Sequence, residues 1–192
     1  MAVVAGRHRL GPDRGRILLC TFRDGLAAQA GHDLTIEATR WSGELGVNDE
    51  LSPAGLEVRV DLGALVVREG TGGVKPLTDR DRREIAVTMR KVLGAGQHPE
   101  AVFAADKFRP DADGGGEISG TLTLRGQARP LRLQVKQTGT GRYHAETQVV
   151  QSNYGIKPYT AFLGALRVRD AVDVAVELDL SDLAADLGTG HD

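Results

Sequence analysis

Ile118-Ser119-Gly120-Thr121-Leu122-Thr123-Leu124-Arg125-Gly126-Gln127, continued by Pro130-Leu131-Arg132-Leu133-Gln134-Val135, reads as a β-hairpin. Ile118, Gly120, Leu122 and Leu124 share one parity. Arg125-Gly126-Gln127 turns the chain, and Leu131, Leu133 and Val135 return on the same alternation. An alternation of this kind puts every apolar side chain on one face of a strand.

The pattern spreads in both directions. Upstream, Arg16 to Phe22 forms a first strand, and His32, Leu34, Ile36 and Ala38 alternate with Asp33, Thr35, Glu37 and Thr39. Glu44 to Asn48 continues that strand after Ser42-Gly43, where glycine permits a bend or bulge. Leu56, Val58, Val60 and Leu62 form one face of the next strand, and Ala101, Phe103 and Ala105 one face of another. Downstream, Gly139-Thr140-Gly141 turns into Arg142 to Gln151. Val172, Val174, Val176, Leu178 and Leu180 then give a last strand with one apolar and one acidic face.

One helix interrupts the strands, over residues 79–93. Thr78 is its N-cap, Asp79 and Asp81 suit the positive end of the dipole, and Ile85, Met89, Val92 and Leu93 make an apolar stripe. Gly94 is the left-handed residue that ends it. The mixed block Asp79-Arg80-Asp81-Arg82-Arg83-Glu84 is thus a solvated helix start. Two long loops stand out: Val67 to Leu77, and Ser152 to Ala165, with a short helical or loop segment near 155–163. The fold class is all-β: eight or nine antiparallel strands with one main α-helix point to a closed or nearly closed barrel. It forms one domain over residues 1–182, with a fraying tail at 183–192.

The net charge of −2, from 24 basic and 26 acidic residues, provides no field for nucleic acid or an anionic membrane surface. The single Cys20 allows no internal disulfide and sits in the apolar run Ile17-Leu18-Leu19-Cys20, where a small core residue is expected. No apolar stretch has the length of a signal or a membrane span, so a cytoplasmic protein without stable membrane insertion is expected. No metal-ligand spacing, nucleophile elbow or phosphate-cradling loop is present, and no cofactor is expected. His32-Asp33 is the one acid–base pair of interest, but neighbours on a strand face opposite ways.

Several elements together resemble the bacterial YceI-like proteins. The hairpin Ile118 to Gly126 with Pro130-Leu131-Arg132-Leu133 is similar to that family's G-x-L-T-[IL]-R-G…P element. Gln151-Ser152-Asn153-Tyr154-Gly155-Ile156 resembles R-x-[DN]-[FY]-G-[IL], with Gln151 in place of the basic residue. His98-Pro99-Glu100-Ala101-Val102-Phe103 resembles the P-x-[IV]-x-F strand start. Asp79-Arg80-Asp81 matches the R-D that opens the helix region, and His32-Asp33-Leu34 stands where R-H-[LM] is usual. Asp81-Arg82-Arg83-Glu84-Ile85 departs from the family's H-L-x-S-x-x-F-[FL], and the export signal of many members is missing.

The resemblance, spread from about Arg16 to Leu180, implies an extended antiparallel lipocalin-like barrel. It also implies a polyisoprenoid or other long-chain amphiphilic lipid in the lumen, and suggests a homodimer. On this reading the chain is a non-catalytic carrier. Its expected ligand-binding residues are the one-parity set Ile36, Phe103, Leu122, Leu124, Leu133, Val149 and Val174, with His32, Asn153, Tyr154 and Phe162 at the mouth. Lys157 and Tyr159 are further mouth candidates. Periodicity leaves open whether side chains fill the barrel, because a ring of about eight strands either packs itself solid or holds one ligand. A filled barrel implies an interaction module. A lipid hydrolase or isomerase working through His32 is the third alternative.

Overall fold

The computed structural model describes residues 3–183. Its strands are β1 (Gly6–Leu10), β2 (Gly15–Thr21), β3 (Arg23–Asp24), β4 (Asp33–Ala38), β5 (Trp41–Val47), β6 (Pro53–Asp61) and β7 (Leu65–Thr71). After helix α1 (Asp79–Leu93) come β8 (Glu100–Pro110), β9 (Gly116–Leu124), β10 (Gln127–Gly139), β11 (Arg142–Val150), β12 (Thr160–Ala161), β13 (Leu166–Val168) and β14 (Ala171–Asp179). Eleven strands form one curled antiparallel sheet in the order β1-β5-β6-β8-β9-β10-β11-β14-β2-β4-β7, and β12-β13-β3 form a small separate sheet.

The ladder has ends at β1 and β7, yet the chain itself carries the wall around. β4 runs into β5 across Thr39-Arg40, and β6 runs into β7 through a 3-10 turn, Leu62–Ala64. The pairing continues around this corner: Asp61 N–H donates to Arg40 O at 3.1 Å and Thr39 N–H to Ala64 O at 3.0 Å. Counting β4–β5 and β6–β7 as one bent stave each, eight staves enclose the interior. The expected count of about eight therefore holds for the wall. The additional strands are the broken halves of the bent staves, the outlying β1 and the small sheet. One sequence expectation changes here. The bend falls at Thr39-Arg40, one pleat before Ser42-Gly43. Gly43 instead admits a close neighbour, since a Cβ there meets Glu57 O at 2.9 Å.

Local chemistry explains the elements. Arg125 and Gly126 take φ of 50° and 71°, and Leu124 pairs with Gln127, which makes the two-residue hairpin turn whose twist matches the strands. Thr78 accepts from Asp81 N–H while Asp81 accepts from Thr78 N–H, a reciprocal cap on α1, and Gly94 closes it at φ 66°. The Thr78 hydroxyl and then the Thr78 N–H, both donating to the Asp81 carboxylate, hold it below its ordinary value. A register shift between Ala105 and Lys107 in β8 makes Asp106 an extra residue. It switches the inward parity from Phe103 and Ala105 to Phe108.

Cys20 does not enter the core. It sits half-buried on β2, on the parity opposite to the inward Ile17, Leu19 and Thr21. Most of the tail expected at 183–192 lies outside the described residues. Leu183 is described and ends a 3-10 turn, Ser181–Leu183, its carbonyl accepting from Val4 N–H at 2.9 Å.

Candidate functional site

The inward faces of the staves do not meet. They surround a cavity of about 1230 Å³ that runs the length of the barrel. Its wall is mostly aliphatic with a few aromatic rings, with Ala101 and Phe103 on β8, Leu122 and Leu124 on β9, Leu131 and Leu133 on β10, and Ala145 and Val149 on β11. At one end it is bounded by Leu51 and by the tip Gly114-Gly115-Gly116. At the other it is bounded by His32, Val74, Lys75 and Tyr159.

Of the residues expected to meet a ligand, His32, Ile36, Phe103, Leu122, Leu124, Leu133, Val149 and Val174 all line this space. Asn153, Tyr154 and Phe162 do not, and neither does Lys157. Tyr154 belongs to a 3-10 turn, Gln151–Tyr154, that buries its ring in the protein's own core, and burial pushes its phenol pKa up. Asn153, on the same turn, faces solvent. Phe162 sits at φ 49° and is 64% exposed, pointing away from the lumen. The family-like motif at 151–156 is thus largely a structural corner. Ser152 N–H and Oγ bond Asp170, and Gln151 Nε2 donates to Arg169 O at 2.9 Å. Its contribution to the cavity is the last residue, Ile156, and Gln151 itself.

Sequence reasoning missed the helix as a wall. β7 has no strand neighbour on its outer side, and α1 packs there. Ile85, Met89, Val92 and Leu93, the same stripe that identified the helix, line the cavity. The signal was available: an amphipathic helix beside a barrel must bury its stripe somewhere. Trp41, also missed, lines the lumen from the corner of the bent stave. Its indole Nε1 is buried and lacks a partner among the described residues.

Polar groups gather at the His32 end. His32 Nε2 lies 2.8 Å from Lys75 O, an acceptor, so this nitrogen donates its proton there. Arg23 Nη1 donates to Gly31 O at 2.8 Å, and Arg23 N–H donates to Asp33 at 2.8 Å. Glycines make this packing fit. A Cβ on Gly73, at φ 71°, falls 2.4 Å from the His32 ring, and one on Gly72, at φ 76°, collides with the Arg23 guanidinium. The loop 72–77 is thereby clamped against the start of β4. Asp33 turns toward Arg23 while His32 turns toward Lys75, so the adjacent pair forms no acid–base dyad. Among the described residues no group of three His, Cys, Asp or Glu side chains is placed to share a metal ion. Among the described residues no helix is long and apolar enough to cross a membrane.

The comparisons agree with this architecture. Over 85% of this chain and 94% of the other, the fold is similar to BcnA of Burkholderia cenocepacia, at 14% identity and a TM-score of 0.59. A polyisoprenoid binding domain from Saccharophagus degradans, implicated in plant cell wall breakdown, matches over 91% of this chain and 97% of its own at 13% identity and a TM-score of 0.55. A YCEI protein of Campylobacter jejuni matches over 74% and 81% at 13% identity, TM-score 0.55. At such identities the likeness concerns the fold. No curated protein matches the chain. The model of the YceI-like domain matches residues 24–180, most of the barrel and both bounding loop regions, and the chain belongs to the YceI-like family.

Proposed function

We propose that this protein is a non-catalytic carrier that holds a long-chain amphiphilic lipid, an isoprenoid or similar chain, along the barrel axis. The observation that carries the reading is the unfilled apolar lumen of about 1230 Å³. Pockets for drug-sized ligands run to roughly 300–1,000 Å³, so this space suits a longer guest. Magnitude argues that the space is occupied in use. At about 24 cal/mol per Å³, a dry void of this size costs on the order of 30 kcal/mol, well above the ~5–15 kcal/mol stability of a domain. Either water fills it against a greasy wall, or a guest does. An apolar chain entering it is removed from water on all sides, at ~25 cal/mol per Å².

In this reading Ile36, Phe103, Leu122, Leu124, Leu133, Val149 and Val174 contact the chain, joined by Ile85, Met89 and Val92 of the helix. His32 and Lys75 face the polar head at the mouth. The polyisoprenoid binding domain with the same fold supports the chemical class of cargo. The test is the mass of the protein as purified. Native mass spectrometry with organic extraction is expected to show a co-purifying lipid. A clean apo mass from several expression hosts, with no uptake of added prenyl or acyl chains, overturns the proposal.

A further inference from the structure

A lipid carrier has to meet its cargo where the cargo is soluble, and one end of this barrel is built differently from the rest of the surface. Leu26 and Leu163 are fully exposed, at 102% and 109%, and Phe162 is 64% exposed. They sit on two loops locked together: Ala27 N–H donates to Ala165 O at 2.8 Å, and β3 pairs with β13 just beneath. Phe162 and Leu163 are held with φ of 49° and 55°, left-handed backbone that large side chains rarely adopt. The loop thus spends conformational energy to keep two bulky apolar groups in water. Val74 and Tyr159, also exposed, line the lumen at this same end, so exposed apolar groups reach the cavity rim.

Charge points to the partner. Across segments 22–33, 72–77 and 155–170 the basic residues Arg23, Lys75, Lys157, Arg167 and Arg169 outnumber Asp24, Asp33 and Asp170, although the whole chain carries −2. Arg23 lies by Asp33 and Arg167 by Asp24, which leaves Lys75, Lys157 and Arg169 against Asp170. Apolar tips among basic residues match the interface of an anionic bilayer, where leucine and phenylalanine enter the acyl boundary and lysine and arginine meet the head groups. We propose that this end of the barrel docks reversibly on anionic lipid membrane, with Leu26, Phe162 and Leu163 inserted, so that cargo passes from bilayer to lumen past Val74 and Tyr159. The passage of cargo rests on the carrier reading; the docking does not.

The test is co-sedimentation with phosphatidylglycerol–phosphatidylethanolamine vesicles and with pure phosphatidylcholine vesicles, comparing the wild type with a Leu26→Asp, Leu163→Asp double variant. Both positions are exposed, so the variant is expected to melt like the wild type. The wild type is expected to prefer the anionic vesicles and to release with salt, and the variant to bind at least about tenfold more weakly. Uptake of cis-parinaric acid without vesicles is expected to be equal in the two proteins. Failure of the wild type to sediment, or equal sedimentation of the variant, overturns the docking proposal. So does a variant that merely shifts a dimer to a monomer in analytical ultracentrifugation, because the patch then joins two copies. Vesicle binding without parinaric uptake upholds the docking and sinks the carrier reading instead.

Discussion

The two ends of the barrel obey different rules. At one end the chain turns tightly: Thr140-Gly141 joins β10 to β11, and residues 111–115 join β8 to β9. Asp111 accepts from Asp113 and Gly115 N–H, so that tip satisfies its own backbone. At the other end, beside the two-residue turn Arg125-Gly126, the segments 22–32, 72–99 and 151–170 are long and pack on each other through glycines, carbonyls and paired charges. Asp24 there is held below its ordinary carboxyl range first by Gly25 N–H and then by Arg167, whose Nε lies 3.0 Å away. Close glycine contacts occur at both ends, a Cβ on Gly114 meeting Gln137 Oε1 at 2.1 Å, so the lesson is that the mouth differs in having long loops held by one another. The exposed apolar tips Leu26, Phe162 and Leu163 collect on those loops.

The comparison can be broken most forcibly from inside the wall. Leu124→Arg puts a charge into the lumen, and an unpaired buried charge costs several kcal/mol. Uptake of a fluorescent prenyl or acyl probe is expected to weaken at least about 100-fold, at ~1.4 kcal/mol per decade. A far-ultraviolet melt shows whether the barrel is intact. Undiminished binding in a folded variant removes Leu124 from the site. Ala145→Phe, an apolar plug at mid-barrel, is the gentler partner experiment, expected to favour shorter probe chains over longer ones.

The next pair contrasts the ends directly. Gly73→Ala forces a side chain into left-handed backbone and against the His32 ring, and is expected to destabilise by about 1–3 kcal/mol. Gly55→Ala, near the tight-turn end, meets nothing within 4 Å and is expected to stay within about 0.5 kcal/mol of the wild type. Equal chemical denaturation midpoints for the two variants contradict the claim that the mouth is clamped by close packing.

Thr78→Ala removes the cap of α1, and is expected to cost about 1 kcal/mol. The loss should register first as faster amide exchange in residues 79–85. The smallest effect is acid sensitivity of the same helix start. Asp81 has a lower pKa folded than unfolded, so its stabilising contribution is complete above the unfolded value and fades as pH falls through the folded one. The helix start is expected to loosen below about pH 4. Asp81→Asn should flatten that dependence, and an unchanged acid profile in the variant assigns the effect to another carboxylate.

Much of the wall was legible from residue order, because the alternation at 118–124, 131–135 and 172–180 is a local property of each strand. The lumen set from Ile36 to Val174 followed from the same parity. The mouth set was less legible. Asn153, Tyr154 and Phe162 carry side chains typical of binding sites, but a 3-10 turn and a left-handed pair direct them elsewhere. Which way a loop side chain points depends on partners distant in sequence, such as Asp170 for the 151–154 turn and Ala27 for the 162–165 turn.

By itself the order of residues determined the strand faces, the helix and its caps, and the hairpin at 125–126, because each depends on neighbours a few positions away. The tertiary structure alone decided that the interior is hollow, that α1 serves as a stave beside β7, and that Leu26 and Leu163 share one rim. Whether a ring closes on empty space depends on the summed volume of side chains from all its staves, and that sum is formed only when the chain has curled.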